Sequence, residues 1–521
     1  MILMLGIGLV SLCVRGQPGG STREIKDAML KATRYMVEEV SYQGGYVWYY
    51  MPDFSRRWGE MEAYETMIWV QSPGTVSMGD LFLDAYHATG NEYYYTAAEK
   101  VAAALIWGQS REGGWNYMID FAGDRSLREW YSTIGKNGWR LEEFHHYYGN
   151  CTFDDGVTSG ASNFLLRIYL EKLDPKYRPS LDKAIDFILQ SQHATGGWPQ
   201  RYPIIDGICI DGRPDYSGYC TFNDEVIEAN IRFLILCYLV LGREEYLEPI
   251  MRGMNCYLIF QHDCGGWGQQ YDEDLAPAGA RSYEPAALLP STTFRNAMAL
   301  LDFYELTGEK KFLAAVPRAI EWLERTKLPL ASTGGGRYTH ATFLEPGTNR
   351  PVYVHRKGSN VIHGFYYTDE NEEILLSHYG GKTRLPVEML KQRYDSLSAI
   401  EPALVSADSP LKPGVFKEDG SPRSFYLETT DRQWDGIPDK SAVEEILNSL
   451  DSQGRWLTTK AMTSNPYAGD GTQDEPTGKY ASTNVGDETD TSPYPNTSEQ
   501  EYISTGYYIR NMRTLIRYLE Q

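Results

Sequence analysis

Along this chain apolar residues recur at helical spacing in blocks that stop and restart at short polar breaks. Leu81, Phe82, Ala85 and Tyr86 share one helix face, Thr89-Gly90-Asn91-Glu92 interrupts it, and Tyr95 to Trp107 resumes the period. Leu241-Gly242-Arg243-Glu244 and Leu306-Thr307-Gly308-Glu309 make the same break later, and Asp174-Pro175 does so between them. Each helical pair is followed or preceded by the phrase Gln-x-x-x-Gly-Gly-Trp, at Gln109 to Trp115, Gln192 to Trp198 and Gln261 to Trp267. An earlier half-unit ends in Gln43-Gly44-Gly45-Tyr46, and the last helix, Tyr502 to Leu519, has no partner nearby in the sequence. The two ends of the chain are therefore expected to pair. Hairpins in series that cannot bury their faces alone give a solenoid or an α/α toroid. Paired ends select the second: an all-α fold, an α/α toroid of repeated helical hairpins whose connecting loops gather on one rim. From Thr333 the pattern changes to Gly334-Gly335-Gly336 and then strand-like Tyr353 to His355 and Gly364 to Thr368. Short β and irregular segments are expected in that C-terminal part. The division read is a leader at 1–16, a toroid core at 22–332, an extension at 333–380, an irregular segment with a polar acidic tract at 381–499, and a helix at 500–521 that closes the toroid.

Composition narrows the class. With 521 residues, 42% hydrophobic and 13% aromatic, the chain can bury a large core. A formal charge of -21 without basic runs excludes nucleic acid and anionic membrane as partners. Met1 to Gly16 is apolar, ends in Val14-Arg15-Gly16 and then turns polar, which reads as a secretory signal peptide and predicts a secreted or periplasmic protein. No other segment approaches the ~18 apolar residues of a membrane span. Beyond Cys13 in the leader, six cysteines remain and none form a Cys-x-x-Cys pair. Cys209 and Cys220 have the spacing to close a loop by a disulfide, and isolated buried thiols are the other reading. Cys237 lies in the apolar run Ile231 to Leu241, which predicts a buried inner helix.

Aligning the repeats on their tryptophans brings a second phrase into register: Thr152-Phe153-Asp154-Asp155, Thr221-Phe222-Asn223-Asp224 and Thr292-Thr293-Phe294-Arg295-Asn296. The first two carry acids; the third, in this alignment, has Asn296 in place of the acid. Thr152 with Asp155 and Thr221 with Asp224 fit a capping box, in which the acids only serve the helix start. The alternative is that Asp154, Asp155 and Asp224 form one cluster on adjacent rim loops. Unpaired, they would repel one another. A hard cation resolves the repulsion, and an oxygen-only donor set points to Ca2+. The neighbouring His145 and His146 are not read as ligands. Arg281, in the connection Ala276 to Pro285, falls on the same rim, either as a plain partner of Glu284 or as part of a site. Arg350 and Arg356 add cations after the last hairpin. A metal and arginines on one rim describe a site for a polyanion bearing carboxylates.

Together, Gly-Gly-Trp198-Pro-Gln200, Thr-Phe-Asp154-Asp155-Gly156, Thr-Phe-Asn-Asp224, Ala-Arg281-Ser-Tyr-Glu284 and Thr-Asn-Arg350-Pro351 resemble the pectate lyases of polysaccharide lyase family 10, from about residue 25 to 375. The resemblance implies an α/α toroid that binds an anionic polysaccharide, acts as a monomer and cleaves de-esterified homogalacturonan by β-elimination with Ca2+. Carried over by residue, it makes Arg281 the base, with a neutral fraction favoured by Ca2+, Arg350 and Arg356 nearby. Asp154, Asp155 and Asp224 become the metal and substrate cluster, and Arg350 and Arg356 the carboxylate-binding arginines of the 333–380 extension. Trp198 and Tyr283, within the same motifs, become substrate-binding residues. The resemblance leads one to expect Asn where Asp155 stands and Lys where Gly279 stands; these departures take a cation from the site and make metal binding more demanding. Three rivals remain. A triterpene cyclase shares the Gln-x-x-x-Gly-Gly-Trp phrase, but no Asp-x-Asp-Asp motif is present. An inverting glycosidase would use Asp154 and Asp224 as acid and base. The third is a non-catalytic glycan-binding protein.

Overall fold

The Gly-Gly-Trp phrase folds the same way each time, and its chemistry explains why it repeats. In this computed structural model the indole Nε1 of Trp115, Trp198 and Trp267 donates to a carbonyl ten residues upstream, Leu105, Ile188 and Tyr257, at 2.8, 2.8 and 2.9 Å. Gln109, Gln192 and Gln261 each use Nε2 twice: once on the carbonyl of their own turn (Gly113, Gly196, Gly265) and once on the next unit, at Ser180, Pro249 and Ala315. Gly113, Gly196 and Gly265 hold φ of +123°, +99° and +103°, and a Cβ there would meet the carbonyl oxygen of Lys183, Arg252 or Arg318 at 2.4, 2.1 or 2.2 Å. Only glycine permits both that φ and that approach. The phrase is thus a clip that seats each hairpin on the next.

The structure describes residues 21–135, 142–205, 209–210, 213–281, 283–357, 365–373, 379–407, 409–412, 438–463, 494–495 and 500–520, with side chains left undescribed at 142, 209–214, 356–357, 365–366 and 462–463 and at 494–495. The expected leader at 1–16 and nearly all of the polar tract lie outside the described residues. The helices are α1 (Thr22–Tyr35), α2 (Thr75–Thr89), α3 (Glu92–Gly108), α4 (Asp124–Thr133), α5 (Val157–Lys172), α6 (Arg178–Gln190), α7 (Val226–Leu241), α8 (Leu247–Ile259), α9 (Pro290–Thr307), α10 (Lys310–Arg325) and α11 (Val387–Ser398). Hairpins form between α2 and α3, α5 and α6, α7 and α8, and α9 and α10, while α2, α5 and α7 pack in succession as an inner layer. The polar breaks end helices as expected: Gly90, Gly242 and Gly308 are left-handed caps of α2, α7 and α9, at φ +70°, +64° and +70°. Cys237 is fully buried in α7. This is the α/α toroid.

The ends of the chain meet through a helix and a sheet. The C-terminal helix Thr505–Leu519 packs on α1 and α2. Beside it, strands Leu457–Thr458, Tyr502–Ser504, Tyr49–Tyr50 and Arg57–Trp58 form one antiparallel sheet. Segment 381–499 is not merely irregular. It holds α11, which packs on α9 and α10, the short helix Pro402–Val405, and Lys440–Ser449, which packs on the C-terminal helix. The last of these opens a cryptic copy of the clip. Trp456 Nε1 donates to Ile446 O, again ten residues upstream, at 3.0 Å. Gly454, at φ +91°, lies against Lys31 O of α1, where a Cβ would come within 3.0 Å. The final helix therefore does have an outer partner. Cys220 is a free buried thiol, so the disulfide with Cys209 is not formed. Among the described residues no helix is long and apolar enough to cross a membrane.

Candidate active site

The two aspartate phrases sit where the chain passes from a clip into an inner helix. Thr152 N donates to Trp115 O at 2.8 Å and Thr221 N to Trp198 O at 3.0 Å. One 3-10 turn follows each, Asp154–Gly156 and Asn223–Glu225, and the two turns pack against each other. Asp155 (φ +49°), Asp224 (φ +47°) and Glu225 (φ +58°) are all left-handed, a conformation that costs a non-glycine residue stability. The corresponding bond in the next unit is Leu289 N to Trp267 O, at 2.8 Å, and α9 begins at once with Pro290. That unit has no such turn. Asn296 lies inside α9, so the sequence alignment that set it against the aspartates is corrected. In the first unit Trp69 N donates to Tyr46 O at 2.8 Å, which places Gln71 at the position of Asp154 and Asn223.

The capping-box reading fails as well. Asp155 Oδ2 accepts from Gln71 Nε2 at 2.7 Å, and Asp224 Oδ2 from Asn223 Nδ2 at 2.5 Å; neither 3-10 turn has a side-chain cap. Asp154 is fully buried, takes the Tyr117 hydroxyl on Oδ2 at 2.5 Å, and has no hydrogen-bond partner for Oδ1. Burial, then Asp154 and Asp224, hold the Asp155 carboxyl well above the usual carboxylate range, with Arg281 opposing. Burial, then Asp154, do the same to Asp224. Asp155 is nevertheless open to solvent on one side, as expected of an acid lining a concave surface: water reaches it, yet protein crowds its other sides.

Arg281 is buried beside this cluster and heavily bonded. Its Nε and backbone N donate to Glu284 Oε2 at 2.8 and 3.0 Å, Nη2 to Glu284 Oε1 and Tyr379 OH at 3.0 Å each, and Nη1 to Glu143 Oε1 at 3.3 Å. Tyr379 also donates to Glu284 Oε1, which accepts from Gln269 Nε2 at 2.9 Å. Burial alone would lower the guanidinium pKa, but Glu284, the phenols of Tyr283 and Tyr379, and Glu143 together hold it well above the ordinary value. Arg350, expected to favour a neutral fraction of Arg281, is paired elsewhere, and the groups found acting on Arg281 among the described residues are acids.

Asp154, Asp155, Asp224 and Arg281 are thus brought together, with the Tyr283 ring against the Arg281 guanidinium at 5.6 Å, while Trp198 and Arg350 are not. Trp198 is fully buried, its indole nitrogen spent on Ile188 O, so it clips the repeat and presents no face to a sugar. Tyr283 is buried with Ala287, Leu289, Phe343 and Val354. Arg350 is exposed at the turn between strands Phe343–Leu344 and Pro351–Lys357, paired with Glu345 at 3.0 Å and Glu370 at 2.7 Å. Arg356 lies opposite Tyr366 in the sheet, and its side chain is outside the described residues.

Sequence reading missed Glu143, Tyr117, Gln71, Tyr379 and Arg201. Glu143 is buried, and burial, then Glu60 and Asp154 against the opposing Arg281, push its carboxyl up to about 8. Arg201 is buried with its guanidinium over the rings of Tyr117 and Tyr148, at 5.5 and 4.8 Å. The one available signal was the repeat itself: Tyr117, Gln200 and Gln269 each follow a clip tryptophan by two residues. Among the described residues no cluster of three or more His, Cys, Asp or Glu is arranged to hold a metal by itself.

The family model described as pectic acid lyase matches residues 131–384. No curated protein matches. Similar solved structures include a family 10 polysaccharide lyase from Cellvibrio cellulosa, 20% identical over 53% of this chain and 84% of that one, with a TM-score of 0.35. A mutant of a family 10 polysaccharide lyase from the same organism, in complex with trigalacturonic acid, is 19% identical over 53% and 86%, with a TM-score of 0.35. An α-1,6-mannanase of Salegentibacter is 12% identical over 96% and 99%, with a TM-score of 0.36. The matched residues 131–384 hold both aspartate turns, Glu143, Arg281 and Glu284, and this match to the pectic acid lyase model makes the protein, by class of enzyme, a pectate lyase.

Proposed function

We propose that this protein cleaves de-esterified homogalacturonan by β-elimination, with Asp154, Asp155 and Asp224 holding Ca2+ and Arg281 at the reacting centre. The observation that carries the reading is the meeting of these side chains from separate loops, close enough that the charge of Arg281 acts on both Asp155 and Asp224. The donor set suits a hard cation: it is oxygen-only, crowded with like charge, and includes the unpartnered Oδ1 of Asp154. Because no three of these acids form a metal site alone, a carboxylate of the substrate is the natural further donor. When bound, Ca2+ would withdraw charge from that carboxylate and so acidify the C5 proton.

The elimination takes the C5 proton, breaks the C4–O4 bond, forms a C4–C5 double bond and leaves a protonated O4 on the other fragment. In the resting protein Arg281 is a cation fixed by Glu284, suited to holding a uronate carboxylate and, in its neutral fraction, to taking the proton. Its acidic surroundings keep that fraction small, so the rate is expected to climb into alkaline pH. Arg356 remains a proposed carboxylate-binding residue, and Arg350 becomes one by exchanging Glu345 and Glu370 for substrate. A polymer of this size is met outside the cytoplasm, in keeping with the apolar leader, and the chain is proposed to act as a monomer.

The test is incubation with polygalacturonate and Ca2+, followed by ultraviolet absorbance. Absorbance from the new double bond, lost in excess chelator and restored by Ca2+, is expected. New reducing ends without absorbance would overturn the lyase. They would favour an inverting glycosidase on Asp154 and Asp224, the second reading, which the raised pKa of Asp224 beside Asp154 supports.

A further inference from the structure

Glu284 cannot by itself aim Arg281 at the aspartates. The two belong to one short loop, three residues apart, and the pair would move together. Glu143 comes from a different part of the molecule, 138 residues away, and takes the remaining terminal nitrogen, Nη1. It lies on the 3-10 turn Glu142–Phe144, and the next side chain, Phe144, is wedged edge-on among Trp69, Trp130 and Tyr117 at centroid distances of 6.0, 5.6 and 5.0 Å. Tyr117 in that same aromatic block donates to Asp154. One rigid block therefore fixes an aspartate of the cluster on one side and the arginine on the other.

We infer that Glu143 is a positioning residue: through Nη1 it registers the Arg281 guanidinium to the aspartate turns. The inference rests on the reading of Arg281 as the reacting group. Glu143 Oε2 is buried with no hydrogen-bond partner, so the Arg281 bond is the one side-chain bond found for this carboxyl among the described residues. The groups acting on it are Arg281, Glu60 and Asp154. Glutamine at this position reproduces both the shape of Glu143 and the oxygen that accepts from Nη1.

The experiment compares Glu143→Gln and Glu143→Ala in the full chain, reading kcat and KM on polygalacturonate and thermal melting. Misplacing a reacting group by about 1 Å costs on the order of 10²-fold, so Glu143→Ala should lose about that in kcat with KM within roughly threefold. Glu143→Gln should keep at least about a third of kcat at pH 7, since the oxygen that accepts from Nη1 remains. If the alanine variant fails to fold, Glu143→Met removes the acceptor while keeping the volume. Unchanged kcat in the alanine or methionine variant, or a glutamine variant as impaired as either, overturns the inference. If the unaltered protein forms no unsaturated product, the lyase reading fails instead, and positioning is then read from the Arg281 Nη1 proton resonance, the one that Glu143 accepts. Its hydrogen exchange should be slow in the unaltered protein and in Glu143→Gln, and fast once the acceptor is gone; equal protection in all of them overturns the inference.

Discussion

The clip turns and the aspartate turns lie at the two ends of the same connections, yet they handle a left-handed backbone in opposite ways. At Gly113, Gly196 and Gly265 the positive φ falls on glycine, close against the next helix, and costs little. At Asp155, Asp224 and Glu225 it falls on side-chained residues, a strain of order 1–3 kcal/mol each, and like charges crowd the same turns. The unit that begins α9 directly at Pro290 does without the aspartate turn altogether. Strain is thus kept out of the three clip turns and falls on the added aspartate turns, as expected where stability is given up for a site; in the scaffold Leu173, at the break after α5, is left-handed as well.

Breaking each side of this contrast should produce different symptoms. The largest effect is expected on chemistry: Arg281→Ala should lose roughly 10²–10⁴-fold in turnover while still binding oligogalacturonate, with Arg281→Lys restoring little because it lacks the planar fork. Near-normal turnover of the alanine variant by ultraviolet assay would remove Arg281 from the mechanism. On the scaffold side, Gly196→Ala drives a Cβ to 2.1 Å from Arg252 O and forbids the +99° φ. Denaturant unfolding should show a loss of about 1–3 kcal/mol or more, with KM unchanged in the protein that folds.

The smallest effect has the opposite sign. Asp224→Asn removes one of the crowded charges, so in chelator the variant should be more stable than the unaltered protein by roughly 1 kcal/mol, though inactive. Its pH dependence sharpens the point. Asp155 and Asp224 have folded pKa values raised above their unfolded ones, so their stabilising, protonated state is complete below the ordinary carboxylate value of ~4 and is lost as pH rises through the raised values. Glu143 acts in the same direction up to about 8. Melting temperature in chelator should therefore fall between about pH 4 and 8, and fall less in Asp224→Asn. An Asp224→Asn variant less stable than the unaltered protein at pH 8 would mean that the aspartate supports the fold.

Much of the architecture was legible because the clip needs particular residues. Gln reaches two carbonyls, glycine admits a neighbouring backbone, and tryptophan spans ten residues, so the phrase cannot vary freely. The clip at Gly454 and Trp456 was missed because it is spelled Asp451-Ser-Gln-Gly-Arg-Trp456, with one glycine, far in sequence from the helix it serves. Asn296 was misaligned because a similar phrase after a tryptophan does not show that one unit drops a turn. Trp198 and Tyr283 were read as sugar contacts from their place in the shared motifs, which says nothing of which way a ring points; both rings are buried.

By itself the sequence determined the repeat and the toroid, because each is written in local chemistry, helical period and glycine where φ is positive; it set Asp154, Asp155 and Asp224 apart as acids the repeat does not require, and put forward Arg281 through the resemblance. Only the tertiary structure decided what surrounds them. Glu143 reaches Arg281 across 138 residues, Gln71 reaches Asp155 across 84, and Tyr379 reaches Glu284 across 95. The charge state of a buried group depends on neighbours of this kind. They hold Arg281 as a cation where nearby cations had been expected to favour a neutral fraction, because through-space electrostatics and burial depend on distance in the fold rather than distance along the chain.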